Sequence, residues 1–253
     1  MKIGVLGLGL IGGSIFKNLI GQGFDVVGVS ASQNGENITS DWSILKSCEI
    51  VFVCTPMNKC LETLDKLEEI LPPSTIVTDV CSLKCFVCKK ARSYKFIPSH
   101  PMAGTEKKGF ENSFPAMFSG AKWVLTPVYG NDGVDILTDL INKMGAEIII
   151  TTPDKHDEAA ALISHMPLVI AQALYLTASD NELALKMASS GFRDMTRLAL
   201  SNEEMAVDMF NMNSKNIETA ILKLYKSVGE LTKENYPKKI AEIKQKRSKM
   251  FSC

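Results

Sequence analysis

Charge of one sign is never in surplus along this chain: 28 lysines and arginines are matched by 28 aspartates and glutamates over 253 residues. No net field therefore draws it to nucleic acid or to an anionic membrane surface. Aromatic residues are scarce, at 7%. The one basic run, Lys233 to Lys249, holds seven basic residues but lacks the further basic surface and stacking aromatics of a nucleic-acid reader. It reads as solvated lysines around a packing face of Ile240 and Ile243. The beginning has neither the basic segment nor the cleavage site of a secretory signal, and Gly7 to Gly13 would interrupt its apolar core. The longest apolar stretch, Ala159 to Ala178, contains His165, Pro167 and Gln172, so a buried core helix is expected rather than a membrane span. Neither an internal repeat nor a low-complexity segment is visible.

The cysteines number seven, an odd count, which suggests reduced thiols in a cytoplasmic protein. Cys81, Cys85 and Cys88 stand at C-x3-C-x2-C, a spacing that can hold an iron–sulfur cluster. They overlap a predicted helix, however, and read as small packing thiols. No metal is expected.

What is present begins at once. Ile3 to Leu6 reads as a buried parallel strand running into Gly7-x-Gly9-x-x-Gly12, and Leu10 to Ile20 as the apolar helix that follows. In that setting each glycine has its own role. Gly7 allows the tight turn, Gly9 the approach of a pyrophosphate, and Gly12 close packing of helix on strand. The helix N-terminus adds unpaired N–H groups and a positive dipole end. A Gly-rich turn in an ordinary α/β protein is the blander alternative.

Strand and helix signals alternate through the first 150 or so residues. Strands are expected at Asp25 to Ser30, Glu49 to Cys54, Thr75 to Val80, Lys95 to Pro98, Lys122 to Thr126 and Glu147 to Thr151. Helical patterns fall at Met57 to Ile70, Leu83 to Ala91 and Val134 to Met144. The polar segment Ser32 to Thr39 leaves room only for a short helix, Asp41 to Ser47. Beyond Thr152-Pro153 only helical periods run, at Asp154 to Ser179, Asn202 to Leu231 and Pro237 to Met250. The fold class is α/β: a Rossmann-like parallel-sheet domain over residues 1–152, followed by an all-α domain over 153–253.

Three segments could carry chemistry. Ser99-His100-Pro-Met-Ala-Gly104-Thr105 follows a short strand, where ligands of open α/β sheets bind, and His100 suits a general base near neutrality. A structural histidine capping a turn is the other reading. Thr78-Asp79-Val-Cys-Ser82-Leu-Lys84 places Ser82 at an expected helix start facing the same crevice, where a plain N-cap is the alternative. Ser190-Gly-Phe-Arg193-Asp-Met-Thr-Arg197 could hold a carboxylate by bidentate contacts, or be a solvated helix end paired with Asp194.

Together these segments, with Cys54-Thr55-Pro56, His156-Asp157 and Ser164-His165-Met-Pro167, resemble the prephenate/arogenate dehydrogenase family of tyrosine biosynthesis. They occur in the family's order over residues 1 to about 200. The resemblance implies a small-molecule substrate, arogenate or prephenate, oxidised at C4 with loss of CO2, and a homodimer formed through the helical domain. It implies His100 and Ser82 as catalytic residues, and Arg197, Arg193, Gly104 and Thr105 as substrate-binding ones. The cofactor would lie on Gly7, Gly9, Leu10, Ile11, Gly12, Ser30, Ser32, Thr55, Pro56 and Asp79.

Departures from the family pattern bear on specificity. Prephenate users carry a further histidine at the position of Leu168, and an aromatic in the stretch occupied here by Glu204-Met205-Ala206, so the arogenate branch is expected. Where an NAD enzyme places Asp or Glu at the end of the second strand, this chain has Ser30-Ala31-Ser32, which favours NADP, although no clamping arginine follows and NAD stays possible. Rival readings are a β-hydroxyacid dehydrogenase or imine-type reductase, and a non-catalytic dinucleotide-sensing module.

Overall fold

The computed structural model describes residues 1–105, 107–231 and 236–250; Lys233, at the head of the basic run, lies outside them. Strands β1 (Lys2–Leu6), β2 (Asp25–Val29), β3 (Ile38–Thr39), β4 (Ile50–Val53), β5 (Ile76–Asp79) and β6 (Lys95–Phe96) form a six-stranded sheet in the order β3-β2-β1-β4-β5-β6. All its pairings are parallel. Burial on both faces explains why these strands read as unbroken apolar runs. In β4, Ile50 and Phe52 enter the core on one face while Val51 and Val53 enter the core on the other, and all four are fully buried. Helices α1 (Leu10–Gly21) and α2 (Met57–Leu67) supply crossovers. Between β3 and β4 there is only a 3-10 turn, Trp42–Ser47, begun by the Asp41 carboxylate accepting from the Ser43 N–H.

A second, three-stranded sheet contains β7 (Ser99–Pro101), β8 (Lys122–Leu125) and β9 (Glu147–Ile150), with α3 (Val134–Lys143) between the last two. Strand β7 is antiparallel to β8, pairing His100 with Val124. His100 therefore sits in a strand, not in a loop after one. Trp123, fully buried, packs on Phe52 and Phe118 and donates its indole N–H to Ser99 Oγ at 2.9 Å, locking the small sheet to the large one.

The helical half opens with α4 (Pro153–Ala160), whose N-cap Thr152 accepts from the Lys155 N–H. A π-turn, Ala161–His165, joins it without a break to α5 (Met166–Ser179). Two short helices that periodicity does not reveal follow, α6 (Glu182–Lys186) and α7 (Ser190–Thr196); then come α8 (Glu203–Leu231) and α9 (Tyr236–Met250). Helix α8 kinks at Asn213, which leaves helical angles (φ −128°, ψ 18°) with its side chain buried. Leu168 and Met209 join the core beneath α2, with Leu198 and Ala206 packed against it, so the two halves share apolar contacts.

Two expectations fail. The helix expected over Leu83 to Ala91 is an irregular segment with one 3-10 turn, Val87–Lys89. Here the N–H groups of Lys84 and Cys85 donate to Asp157 of α4, and the Lys84 side chain turns into the core, so tertiary contacts override a weak helical period. The apolar stretch through α5 is not a buried core helix: Ile163 (66%), Tyr175 (47%) and Leu176 (66%) are exposed. That span is apolar and long enough to cross a membrane. Yet His156, Asp157 and His165 on it are buried and hydrogen-bonded to both halves of the protein.

Candidate active site at the junction of the two halves

At the carboxyl end of β1 the chain turns at Gly7 (φ 95°), where a β-carbon would lie 2.7 Å from the Cys54 carbonyl oxygen; one on Gly12 would lie 1.9 Å from that of Gly7. These glycines let α1, β1 and the end of β4 approach one another. Gly9 differs, because a β-carbon there would meet nothing within 4 Å. It is the N-cap of α1, with no side-chain cap and no acidic residue in the first turn, so the first N–H groups of the helix point free. Leu10 and Ile11 follow at that helix start. Beside the loop, the Thr55 Oγ1 hydroxyl is buried without a hydrogen-bond partner among the described residues. Open space above Gly9, uncapped amides and an unsatisfied hydroxyl are what a dinucleotide diphosphate and ribose would fill.

The adjoining loop after β2 is uncharged at its root. Ser30 Oγ accepts the N–H groups of Ser32 (3.3 Å) and Gln33 (3.1 Å), shaping a tight, exposed loop. Neither lysine nor arginine occurs between Ser30 and Asn37.

At the carboxyl end of β5, Asp79 corrects an expectation. It does not face the cofactor crevice: it is fully buried, and its carboxylate accepts from Lys84 Nζ, the Cys81 N–H (2.9 Å) and the Ser99 N–H (3.2 Å). Lys84, equally buried, also donates to the Ser99 carbonyl. This pair clamps the strand that carries His100. Ser82 lies between the two partners, half-buried; because no helix follows, it is not an N-cap.

His100 Nδ1 lies 2.9 Å from Nε2 of His156, the rings edge to face, and His156 Nδ1 lies 2.7 Å from Oδ1 of Asp157. The Asp157 carboxylate also accepts the Lys84 (2.8 Å) and Cys85 (2.9 Å) N–H groups. Its carbonyl accepts from Asn213 Nδ2, which also contacts Nδ1 of His165 at 3.1 Å. All three histidines of the chain thus meet in one cluster. Burial, then the neighbouring His156 ring and Lys84 ammonium, push His100 well below the ordinary imidazole range, and burial takes His165 down to about 4. For Asp157, burial alone would raise the carboxyl, but the hydrogen bonds from His156 and from the Cys85 and Lys84 N–H groups outweigh it and hold it low. In the sequence His156-Asp157 stands out only as part of a motif; the bond between His100 and His156 joins residues 56 apart.

The remaining candidates lie apart from this cluster. Gly104 and Thr105 are exposed beyond β7, Thr105 Oγ1 accepting the Lys107 N–H. Arg193, exposed on α7, pairs with Asp194 at 3.5 Å, and Arg197 is exposed at the following turn. No contact joins either arginine to His100 or to the glycine loop among the described residues. Leu168 and His165 line a mainly apolar groove of about 270 Å³ with Gln172, Met209 and Phe210. Glu204 accepts from Asn58 of α2. Of the C-x3-C-x2-C thiols, burial raises Cys85 and raises Cys88 to about 11, while Cys81 is raised first by its bond to Cys60. Among the described residues, the three ligand-type groups that lie close together are Cys60, Asp79 and Cys81, and Asp79 there is already paired with Lys84.

Sheet order, glycine loop and trailing helices define a nucleotide-binding Rossmann protein with a helical second domain. Within that class, the model of the prephenate dehydrogenase nucleotide-binding domain matches residues 26–150, and that of the prephenate dehydrogenase dimerization domain matches 152–243. This chain belongs to the prephenate dehydrogenase family. Its sequence is 32% identical over 236 residues to a prephenate dehydrogenase of Bacillus subtilis, covering 83% of this chain and 64% of that protein. Against crystal structures, it matches Synechocystis arogenate dehydrogenase at 31% identity and a TM-score of 0.84, covering 99% of both chains. It matches prephenate dehydrogenase from A. aeolicus, in complex with hydroxyphenyl propionate and NAD+, at 27% identity and a TM-score of 0.85, covering 99% and 98%. The chain thus spans less than two thirds of the Bacillus relative's length.

Proposed function

We propose that this protein oxidatively decarboxylates arogenate to tyrosine with hydride transfer to NADP. The observation that carries the reading is His100, the one of the three histidines that is only half-buried, standing on β7 against β5 with its Nδ1 2.9 Å from His156 Nε2. A bound dinucleotide supplies the hydride acceptor. His100 takes the proton of the C4 hydroxyl as the C4–H electron pair departs; the ring carboxylate then leaves as CO2 and the ring becomes aromatic. Ser82, half-buried on the segment after β5, hydrogen-bonds that hydroxyl in this reading. The first amides of α1 and the open face of Gly9 hold the diphosphate, and the Thr55 hydroxyl holds a ribose or nicotinamide oxygen.

Arg197, with Arg193, binds a substrate carboxylate, since a guanidinium fork without a buried partner suits a bidentate anion. Leu168, buried against Met209, leaves no imidazole for a pyruvyl side chain, which supports arogenate over prephenate. The uncharged end of β2 supports NADP, because Ser30 sets no negative charge against a 2′-phosphate. Homodimerisation through α5 and α8 would cover exposed Tyr175, Leu176, Leu222 and Tyr225. The second reading, prephenate or dual use with NAD, is favoured by the A. aeolicus complex.

A steady-state assay crossing arogenate and prephenate with NADP and NAD tests this. Arogenate with NADP should give the highest kcat/KM, and His100→Asn should abolish turnover while cofactor still binds. A clear preference for prephenate overturns the reading of Leu168, and one for NAD that of Ser30.

A further inference from the structure

We propose that His156 and Asp157 are positioning residues that fix the tautomer of His100, leaving its Nε2 as the open acceptor for a substrate proton. The inference rests on the reading of His100 as the base. Asp157 sets the first constraint: its carboxylate is buried and accepts three N–H groups, Nδ1 of His156 and the amides of Lys84 and Cys85. An ionised carboxylate only accepts, so the imidazole N–H of His156 must stand on Nδ1. Nε2 of a neutral His156 then carries a lone pair. It lies 2.9 Å from Nδ1 of His100, which must supply the proton of that bond. A neutral His100 with its proton on Nδ1 has a free lone pair on Nε2, the form a base requires. The other tautomer would offer an N–H to the substrate hydroxyl and could not take its proton.

The rest of the surroundings agree. His100 is faced by Lys84 from the segment after β5, by His156 and Asp157 from α4, and by His165 from the π-turn. Of these only Asp157 is anionic, so it alone favours the imidazolium that forms when the proton arrives. Both outer members belong to the helical half, whereas the base belongs to the Rossmann half, so the aim of the base is set across the junction.

Three variants, assayed with both arogenate and prephenate, test this. Asp157→Asn keeps an oxygen acceptor but removes the charge; kcat should fall on the order of a hundredfold, with KM changed by less than about threefold. The acid limb of its kcat/KM profile should move to lower pH, because a positive His100 is no longer favoured. His156→Phe fills the same space without an acceptor, and His156→Gln restores an acceptor near the Nε2 position. The Gln variant should exceed the Phe variant by tenfold or more in kcat, both binding cofactor normally. Equal kcat for the two, or an unmoved acid limb in a folded Asp157→Asn, overturns the proposal; should Asp157→Asn fail to fold, the His156 pair decides. His100→Asn in the same series separates the layers. If it keeps turnover, the base itself is wrong; if it is dead while His156→Phe is unimpaired, only the positioning role falls.

Discussion

A β-carbon built on Gly12 would sit 1.9 Å from a backbone oxygen, whereas one on Gly9, three residues earlier, would meet nothing within 4 Å. The protein itself therefore excludes a side chain at the first, while at the second the excluded volume belongs to whatever lies over the loop. Gly9→Ala should leave the melting temperature unchanged while weakening dinucleotide binding by about tenfold or more. Gly12→Ala should lower folding stability by roughly 1–3 kcal/mol, because a backbone oxygen cannot move aside like a flexible side chain. Titration calorimetry and thermal melts of the two variants check the pair; equal melting points would overturn this division of roles. These roles are legible in the sequence because glycine geometry acts locally. The position of His100 is legible too, but its partner is not: nothing in the spacing of residues 100 and 156 says that the two rings touch. Asp79 misleads for a related reason, since a motif aspartate at a strand end looks the same whether it faces a ligand or a buried lysine.

Among the elements, the segment from Cys81 to Lys90 departs furthest from its period. Its apolar spacing suits a helix, yet Lys84 points inward to Asp79 and its amide to Asp157. Polar partners outside the segment, Asp79, Ser99 and Asp157, hold it, with one helix-type bond inside it from the Cys88 N–H to the Lys84 carbonyl. Lys84→Met should accordingly destabilise the fold by about 3–5 kcal/mol, the range for breaking a buried pair and stranding one charge. Urea unfolding measures this, and a loss below about 1 kcal/mol would show the pair to be dispensable. Strong repetitive elements are legible: β1, β2, β4 and β5, together with α1, α2 and α8, lie where their apolar periods put them. Short pieces are not. Strand β7 has three residues, and α6 and α7 have five and seven, too few for a period to be seen.

For the molecule as a whole, the helical half carries apolar surface that this chain alone does not cover. On α8, Leu222 is 63% and Tyr225 79% exposed; on α5, Leu176 is 66% exposed. Isolated exposed apolar residues are ordinary, but a row of them along adjoining helices marks a surface built for contact. If this face forms the proposed homodimer, the double change Leu222→Asp, Tyr225→Asp should leave monomer in analytical ultracentrifugation, with the circular dichroism of the fold retained. A dimer that persists would place the interface elsewhere. The two-part plan of the chain is readable from the loss of strand signals after Thr152, but how the halves meet is not, since it depends on Leu168, Met209 and Asp157 reaching across.

That last contact has a consequence for idle chemistry. Asp157 is carried by α4 yet held by amides on the far side of the cleft. If the halves part, the carboxylate and the second imidazole leave together on α4, and the base on β7 loses both at once. A gaping molecule would then hold cofactor beside an unaimed histidine, and water or a stray alcohol wandering in would find nothing ready to take its proton.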